Sequence, residues 1–115
     1  MKRRTARLCF VSSPYGAINC KERDRNYYAK KLAVEACDIV RKNGYEPISP
    51  VLAWMDLYSE LERERVMKNC LELLGVCSFY YFHNCEWSKN SSGMKEELEY
   101  ARELGVAELK FSLFE

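Results

Sequence analysis

The segment from Gly93 to Gly105 carries apolar side chains at helical spacing, and one glutamate, Glu97, lies among them. On a helical wheel the apolar arc is formed by Met94, Leu98, Tyr100, Ala101 and Leu104, while Glu96, Glu99 and Glu103 lie opposite. A carboxylate on the packed side of a helix is costly unless it is paired or hydrogen-bonded. Glu97 is therefore either a rim or ion-paired residue, with Arg63 or Arg65 as its partner, or a nucleophile or acid–base group. The pattern supports these two interpretations equally.

Two hydroxyl-bearing segments are candidates for ligand binding. Ser12-Ser13-Pro14-Tyr15-Gly16 follows an apolar run, and we expect its serines to contact a sugar or phosphate while Tyr15 stacks or hydrogen-bonds. The alternative is an ordinary Pro-Tyr-Gly turn. Ser91-Ser92-Gly93 leads into the helix that carries Glu97, where exposed backbone N–H groups favour an anion. The alternative there is that Ser91 or Ser92 only caps the helix.

Three further features have weaker support. Asp24-Arg25-Asn26 begins a helix and either faces the same site or serves the helix start, which we favour. Trp54 and Tyr58 either stack on a base or lie at a subunit contact. His83 ends an apolar run and is either an acid or base or, as we favour, a structural residue.

Three amphipathic helices and four short apolar runs alternate along the chain and must position these residues. The predicted helices cover 23–43, 59–74 and 93–104, and each ends at a glycine: Gly44, Gly75 and Gly105. Gly44 suits the left-handed turn that closes a helix. The predicted strands cover 6–12, 45–49, 76–82 and 106–113. This β-α-β-α-β-α-β pattern predicts a four-stranded parallel sheet with helices on both faces.

The composition of each run predicts its place in the sheet. The first and third runs are continuously apolar, as buried central strands are. The second contains Pro47, and the fourth alternates apolar with polar residues, so both suit edges. The strand order 2-1-3-4 follows, in a small flavodoxin-like or Rossmann-like three-layer α/β sandwich. Ligands bind such sheets beyond the carboxyl ends of the strands, where the loops 12–22, 49–58 and 83–93 converge.

The composition describes one globular domain over residues 1–115. The chain has 18 basic and 17 acidic residues and a formal charge of +1, so we expect no nucleic-acid polymer and no membrane as partner. Four of its six cysteines lie in apolar segments, no C-x-x-C pair exists and His83 is the only histidine. We therefore expect free thiols, no metal, no cofactor and a cytoplasmic location.

In order and spacing, these pieces resemble the nucleoside 2-deoxyribosyltransferase-like superfamily. The nearest resemblance is to a branch of small bacterial and phage domains whose first strand ends in Ser-Pro-Tyr. The matching pieces are Ser13-Pro14-Tyr15, Asn26 with Ala29, Gly44 with Pro47 and Pro50, Arg63, Leu73-Leu74, and Ser92-Gly93-Met94 with Glu97 and Ala101. They cover nearly the whole chain.

The resemblance implies a function for the site. In the enzymes of this superfamily, a glutamate four residues before an alanine attacks the anomeric carbon of a sugar, which corresponds to Glu97. The serine and glycine before that helix contact the sugar or its 5′-phosphate, which corresponds to Ser92 and Gly93, and the first-strand aromatic corresponds to Tyr15. The resemblance further implies that Ser13, Pro14, Gly16, Asn26 and Met94 bind the substrate.

Two departures bear on the activity. Ser78 stands where many members carry an aspartate, and Ser91 and Ser92 stand where transferases carry an acidic residue. They weigh against deoxyribosyl transfer and leave two expectations: cleavage of an N-glycosidic bond in a nucleotide or nucleoside, or a non-catalytic module that senses or sequesters a nucleotide. A purely structural oligomer is a third alternative. The apolar segment 51–58 predicts at least a homodimer.

Overall fold

The computed structural model describes residues 5–111, which alternate between strands and helices as predicted. The strands are β1 (Thr5–Ser12), β2 (Glu46–Ile48), β3 (Cys77–Phe82) and β4 (Ala107–Leu109). The helices are α1 (Arg25–Lys42), α2 (Pro50–Trp54), α3 (Arg63–Leu74) and α4 (Ser92–Leu104). Single 3-10 turns precede α1, α3 and α4, at Glu22–Asp24, Glu60–Glu62 and Ser88–Asn90.

The four strands form one parallel sheet in the order β2-β1-β3-β4, which confirms the predicted topology and fold class. β2, with Pro47, lies at one edge and pairs only with β1, because proline cannot donate a hydrogen bond to a second neighbour. β4 is shorter than predicted and ends at Leu109. The predicted end of this strand, at residues 112 and 113, lies outside the described residues.

Alternate residues of β1 face opposite layers of the molecule. Cys9 and Val11 pack with Ala36 and Val40 of α1 on one face. Phe10 packs on the other face, with residues of α3 and α4 such as Cys70 and Ala101. Ser12 has the parity of Phe10, so the last side chain of β1 points toward α3 and α4. The two-residue period of the strand therefore decides which helices the first polar residue meets.

The turns at the amino-terminal edge of the sheet are short. Gly44 has a φ of +90°, as expected for the left-handed turn after α1, and its carbonyl accepts a hydrogen bond from Arg7. Gly105 has a φ of +71° after α4. Gly75 closes α3 with a φ of −64°, so this glycine ends a helix without the left-handed conformation.

A helix occupies part of the segment 49–58, where the sequence predicted a loop. α2 begins after Ser49, whose Oγ accepts a hydrogen bond from the Leu52 amide at 3.2 Å, and Pro50 fills the first helical position. This pairing of a serine cap with a proline is a known helix-start signal. The expectation of a loop was wrong because five helical residues are too few for a periodic apolar pattern to show.

Three further findings concern membrane-spanning helices, metal-binding clusters and disulfides. None of the helices in the described part of the chain is long and apolar enough to cross a membrane. Across residues 5–111, no three side chains of the histidine, cysteine or carboxylate types cluster in a way that could hold a metal ion. All six cysteines are free thiols.

We predict that the six thiols differ strongly in reactivity. Burial raises the pKa of Cys9 to about 12 and that of Cys77 to about 11, and it raises the pKa of Cys70 as well, so these thiols rarely form the reactive thiolate. Cys20 and Cys85 are only half-buried and should react first with a disulfide reagent in the native protein. In denaturant without reductant all six should react, and a count below six would contradict the free-thiol structure.

Candidate functional site

A cavity of about 370 Å³ opens at the carboxyl-terminal edge of the sheet, between the segment after β1, α2, α3 and the start of α4. This is the location predicted from the strand order, and the volume suits a small organic ligand. Its wall is formed by Ser13, Tyr15, Gly16, Ala17, Pro50, Val51, Trp54, Met55, Tyr58, Ser59, Arg63, Val66, Met67, Cys70, Asn90, Ser91, Ser92, Gly93, Met94 and Glu97. Seven of the nine residues predicted for the site lie in this wall: Glu97, Tyr15, Ser13, Gly16, Ser92, Gly93 and Met94.

Glu97 is the acidic group of this wall. Its side chain is only 6% exposed, as the helical wheel suggested, and its Oε1 accepts a hydrogen bond from Ser12 Oγ at 2.7 Å. Cys70 of α3 lies in the same cavity wall, and its thiol lowers the pKa of Glu97. Neither arginine considered as an ion-pair partner holds Glu97: Arg63 donates to Ser92, and Arg65 lies over the ring of Tyr58. The carboxylate is thus held by neutral donors.

Burial dominates the electrostatics of Glu97. Removal of the carboxylate from water raises its pKa from 4.5 to about 7, the hydrogen bonds from Ser12 and Cys70 lower the pKa, and the charge of Glu96 raises it slightly. A group with this pKa exchanges its proton near neutral pH. Such a carboxylate can act as a nucleophile when ionised and as an acid when protonated.

The start of α4 carries the features of an anion site. Arg63 Nη2 donates to Ser92 Oγ at 2.9 Å, and its guanidinium lies close to the backbone of Gly16 on the other side of the cavity mouth. Ser91 caps the helix by accepting a hydrogen bond from the Met94 amide at 3.3 Å, so the capping alternative holds for Ser91. Ser92 and Gly93 begin the helix and line the cavity beside a fixed positive charge.

Ser13 supplies an independent sign of a missing partner. Its side chain is 7% exposed, it lines the cavity, and its Oγ has no hydrogen-bond partner among the described residues. Buried hydroxyl groups are nearly always hydrogen-bonded, because leaving one unsatisfied costs about 1–3 kcal/mol. The cavity therefore presents a polar group that a ligand can satisfy.

Tyr15 is held by the start of α1. Its hydroxyl donates to Asn26 Oδ1 at 2.6 Å, and Asn26 Nδ2 donates to Asp56 Oδ1 at 2.9 Å. Arg25 Nη1 donates to the carbonyls of Tyr15, Gly16 and Ile18 at 3.1, 3.1 and 2.9 Å. Asp24 stands at the N-cap position of α1 but makes no side-chain cap, so the tripeptide lies at the helix start, as favoured, without a capping hydrogen bond. Arg25 and Asn26 instead fix the segment that forms one wall.

An apolar wall faces these polar groups. Trp54 and Met55 come from the end of α2, Tyr58 follows, and Val66 and Met67 lie on α3. Aromatic rings opposite polar side chains suit a ligand that has a planar ring system and a hydrophilic group. The stacking interpretation of Trp54 and Tyr58 is therefore geometrically possible.

Three residues named from the sequence lie elsewhere. Pro14 is fully buried and is not among the described residues that line the cavity. Asn26 reaches the site only through Tyr15. His83 points to the opposite face of the sheet, where its Nε2 lies 2.8 Å from Glu35 Oε2 and its Nδ1 lies 3.2 Å from the Tyr81 hydroxyl. It joins β3 to α1, as the structural interpretation expects.

The sequence did not reveal several partners of the site. Cys70 was interpreted only as a small apolar residue, yet it touches Glu97 across the cavity. Arg63 was considered as a partner for Glu97 rather than for Ser92. Both lie on α3, and no sequence pattern states which face of one helix meets a chosen residue of another. The two-residue period of β1 was a signal that could have linked Ser12 to α4.

We predict that Glu97 destabilises the fold at neutral and alkaline pH. Because its folded-state pKa is raised, the unfolded chain ionises first, and stability falls as pH rises from about 4.5 to about 7. Glu97→Gln should therefore raise the free energy of unfolding at pH 8 by up to ~3 kcal/mol and change it little at pH 4. Urea unfolding at both pH values measures this, with the exposed Glu99→Gln as control. A loss of stability at pH 8 would contradict the burial cost.

Comparison with known proteins gives a family but no activity. The curated proteins contain no match to the chain. A family model described as "Domain of unknown function (DUF7768)" matches residues 7–111, a span that contains every residue of the cavity wall. The helix that carries Glu97, and the start of that helix beside Arg63, also fall within this match. On that extent of agreement, the chain belongs to the family described as Domain of unknown function (DUF7768).

Proposed function

We propose that this protein binds a nucleotide or nucleoside in the cavity and cleaves or transfers at its N-glycosidic bond, with Glu97 as the nucleophile. The observation that supports this most is the buried Glu97 carboxylate in the wall of a ligand-sized cavity, held by Ser12 at 2.7 Å. The resemblance to nucleoside 2-deoxyribosyltransferase-like enzymes, which rests on the same glutamate, supports the same choice.

The three regions of the wall match the three parts of a nucleotide. Trp54 and Tyr58 offer rings on which a base can stack. Ser13 Oγ, buried and unsatisfied, offers a hydrogen bond to the sugar. Arg63 and the backbone of Ser92-Gly93 offer a positive site for a 5′-phosphate. Tyr15, fixed through Asn26, and Gly16 close the side between sugar and phosphate.

The reaction needs Glu97 in its ionised form. A carboxylate oxygen attacks the anomeric carbon, an ester bond forms, the carbon–nitrogen bond breaks, and the base departs with the electron pair and takes a proton from water. Water then attacks the anomeric carbon, the ester bond to Glu97 breaks, and the free sugar is released. Alternatively, a second base attacks the same carbon and accepts the sugar. Because the pKa of Glu97 is about 7, the active fraction rises with pH through neutrality.

A second candidate is a non-catalytic module that senses or sequesters a nucleotide. Within the described part of the cavity wall, Glu97 is the only carboxylate, so no second acid is placed there to protonate a departing base. Ser78, Ser91 and Ser92 stand where the resembling enzymes carry acids. In such a module Glu97 accepts a hydrogen bond from a sugar hydroxyl.

Incubation with a panel of nucleoside 5′-monophosphates and the matching nucleosides tests both candidates. Chromatography should detect free base, with monophosphates preferred because of Arg63. Glu97→Gln, a nearly isosteric change, should lower the rate by ~10³-fold or more while ligand affinity persists. Glu99→Gln, which changes an exposed glutamate of the same helix, is the control and should keep full activity.

Other results decide between the candidates. If no base is released but a nucleotide binds, and Glu97→Gln weakens affinity by about one hydrogen bond, ~0.5–1.5 kcal/mol, the protein is a binding module. Mass spectrometry of nucleotide that co-purifies with the protein supports that outcome. If Glu97→Gln changes neither turnover nor affinity for any nucleotide that binds, Glu97 is structural and the proposal fails.

The location and partners follow from the same proposal. A nucleotide ligand and six free thiols suit the cytoplasm, where thiols stay reduced. With a formal charge of +1, the surface has no net attraction for a nucleic-acid polymer or an anionic membrane. The partners we propose are therefore the small nucleotide and a second copy of this chain.

We propose that a homodimer or higher homo-oligomer forms through the segment 51–61. Leu57 and Leu61 are 70% and 97% exposed, and they flank the cavity-lining residues Tyr58 and Ser59 in sequence. Large apolar side chains exposed this close together are unusual in a monomer. Light scattering should give at least twice 13.5 kDa at micromolar concentration. Leu61→Glu should shift the protein toward monomer, whereas Val34→Glu, an exposed apolar position on α1, should not. A wild-type mass of about 13.5 kDa would contradict the assembly.

A further inference from the structure

We propose that Ser12 and Cys70 are positioning residues that contact the Glu97 carboxylate from two sides, an arrangement called here the grip, and that they favour its ionised form against the effect of burial. The catalytic consequence of this grip rests on the proposed function. The grip itself is a property of the folded protein and can be tested without any ligand.

Ser12 forms the sheet side of the grip. It is fully buried at the end of β1, and its Oγ donates to Glu97 Oε1 at 2.7 Å. A short hydrogen bond from a neutral hydroxyl to a carboxylate is stronger than one between neutral groups. Behind Ser12 lies Tyr80 of β3, which is also fully buried, hydrogen-bonds to Ser12, and lies with its hydroxyl 3.4 Å from the carbonyl oxygen of Met94. This packing leaves Ser12 little freedom to turn away from Glu97.

Cys70 forms the helix side of the grip. It is 5% exposed on α3, lines the cavity together with Glu97, and its thiol lowers the pKa of that carboxyl. Burial and the neighbouring charge of Glu97 raise the pKa of the Cys70 thiol far above its usual range. Cys70 therefore keeps its proton and acts as a donor to Glu97 instead of competing as a nucleophile.

The other groups around Glu97 do not replace these donors. Those facing it from the packed elements are Ser12 on β1, Tyr80 on β3, Cys70 and Arg63 on α3, and Glu96 on α4. The guanidinium of Arg63 donates to Ser92, and no described ion pair includes Glu97. Glu96 raises the pKa of Glu97, as burial does, so the two neutral donors oppose both effects.

Loss of either donor should make Glu97 harder to ionise. Because burial raises the pKa of Glu97 to about 7, its protonation changes through neutrality. Without Ser12, the titration midpoint should rise by about one pH unit, and the ionised fraction at pH 7 should fall to about a tenth. Without Cys70 the change should have the same sign and be smaller, because a thiol is the weaker donor.

Carbon NMR of the labelled glutamate side chain measures this titration directly in the ligand-free protein. The variants are Ser12→Ala and Cys70→Ala. The matched controls are Ser88→Ala, which removes an equally buried serine bonded to the His83 carbonyl, and Cys77→Ala, which removes another buried cysteine. We expect the Glu97 midpoint to rise only in the first pair. Ser12→Thr, which keeps the hydroxyl, should restore it.

Two outcomes would overturn the grip. One is a Glu97 midpoint that Ser12→Ala leaves unchanged, and the other is an equal rise of the midpoint in Ser88→Ala. If Ser12→Ala does not fold, Ser12→Cys replaces the hydroxyl by the weaker thiol donor, and an unchanged midpoint there would equally refute the proposal.

The pH dependence of turnover separates this inference from the proposed function. In Ser12→Ala, kcat should fall about tenfold at pH 6.5 and approach the wild-type value at pH 9, a recovery that simple structural damage would not produce. Equal loss at both pH values would refute the positioning role. If the wild type releases no base and binds no nucleotide while the NMR midpoints move as expected, the grip stands and the proposed function fails.

Discussion

One carboxylate, that of Glu97, is buried at the carboxyl-terminal edge of the sheet, and the elements around it are arranged so that they hold it there. Glu97 is held there by Ser12 Oγ at 2.7 Å and by Cys70, and not by a described cation. A buried anion without a counter-charge is a net cost to folding, which neutral hydrogen bonds only partly offset. Such a cost is typical of functional sites, where the fold holds a group in a state that stability alone would not favour.

The rest of the molecule supplies the rigidity that this arrangement needs. β1 lies inside the sheet between β2 and β3, so the position of Ser12 is fixed by ladders on both sides. Phe10, Leu74, Tyr80 and Ala101 belong to one buried apolar cluster. This cluster packs α3 and α4 against the sheet face toward which Ser12 points. The hydrogen-bonded pair Ser12–Glu97 lies at the end of this apolar layer that is nearest the cavity.

The mouth of the cavity is held differently from its floor. Arg25 donates hydrogen bonds to three carbonyl oxygens in the segment 15–18. Asn26 hydrogen-bonds to both Tyr15 and Asp56, and Arg63 of α3 donates to Ser92 at the start of α4. These are contacts of partly or largely exposed residues, which water and salt weaken. The inner end of the cavity, at Ser12 and Glu97, is thus fixed by packing and buried hydrogen bonds. The mouth is held by exposed hydrogen bonds, and a charged ligand can compete for their donors.

The sheet order and the buried position of Glu97 could be predicted from the sequence, because both follow from local periodicity. Continuous apolar runs are typical of central strands, Pro47 favours an edge, and a residue inside a helical apolar arc faces the core. The partners of Glu97 and Ser92 could not be predicted, because Cys70 and Arg63 belong to α3, and the relative rotation of packed helices leaves no signature along the chain. The formation of α2 could not be predicted either, since one turn of helix is stabilised by its Ser49 cap and by the packing of Trp54 on the core, and packing is not a local property.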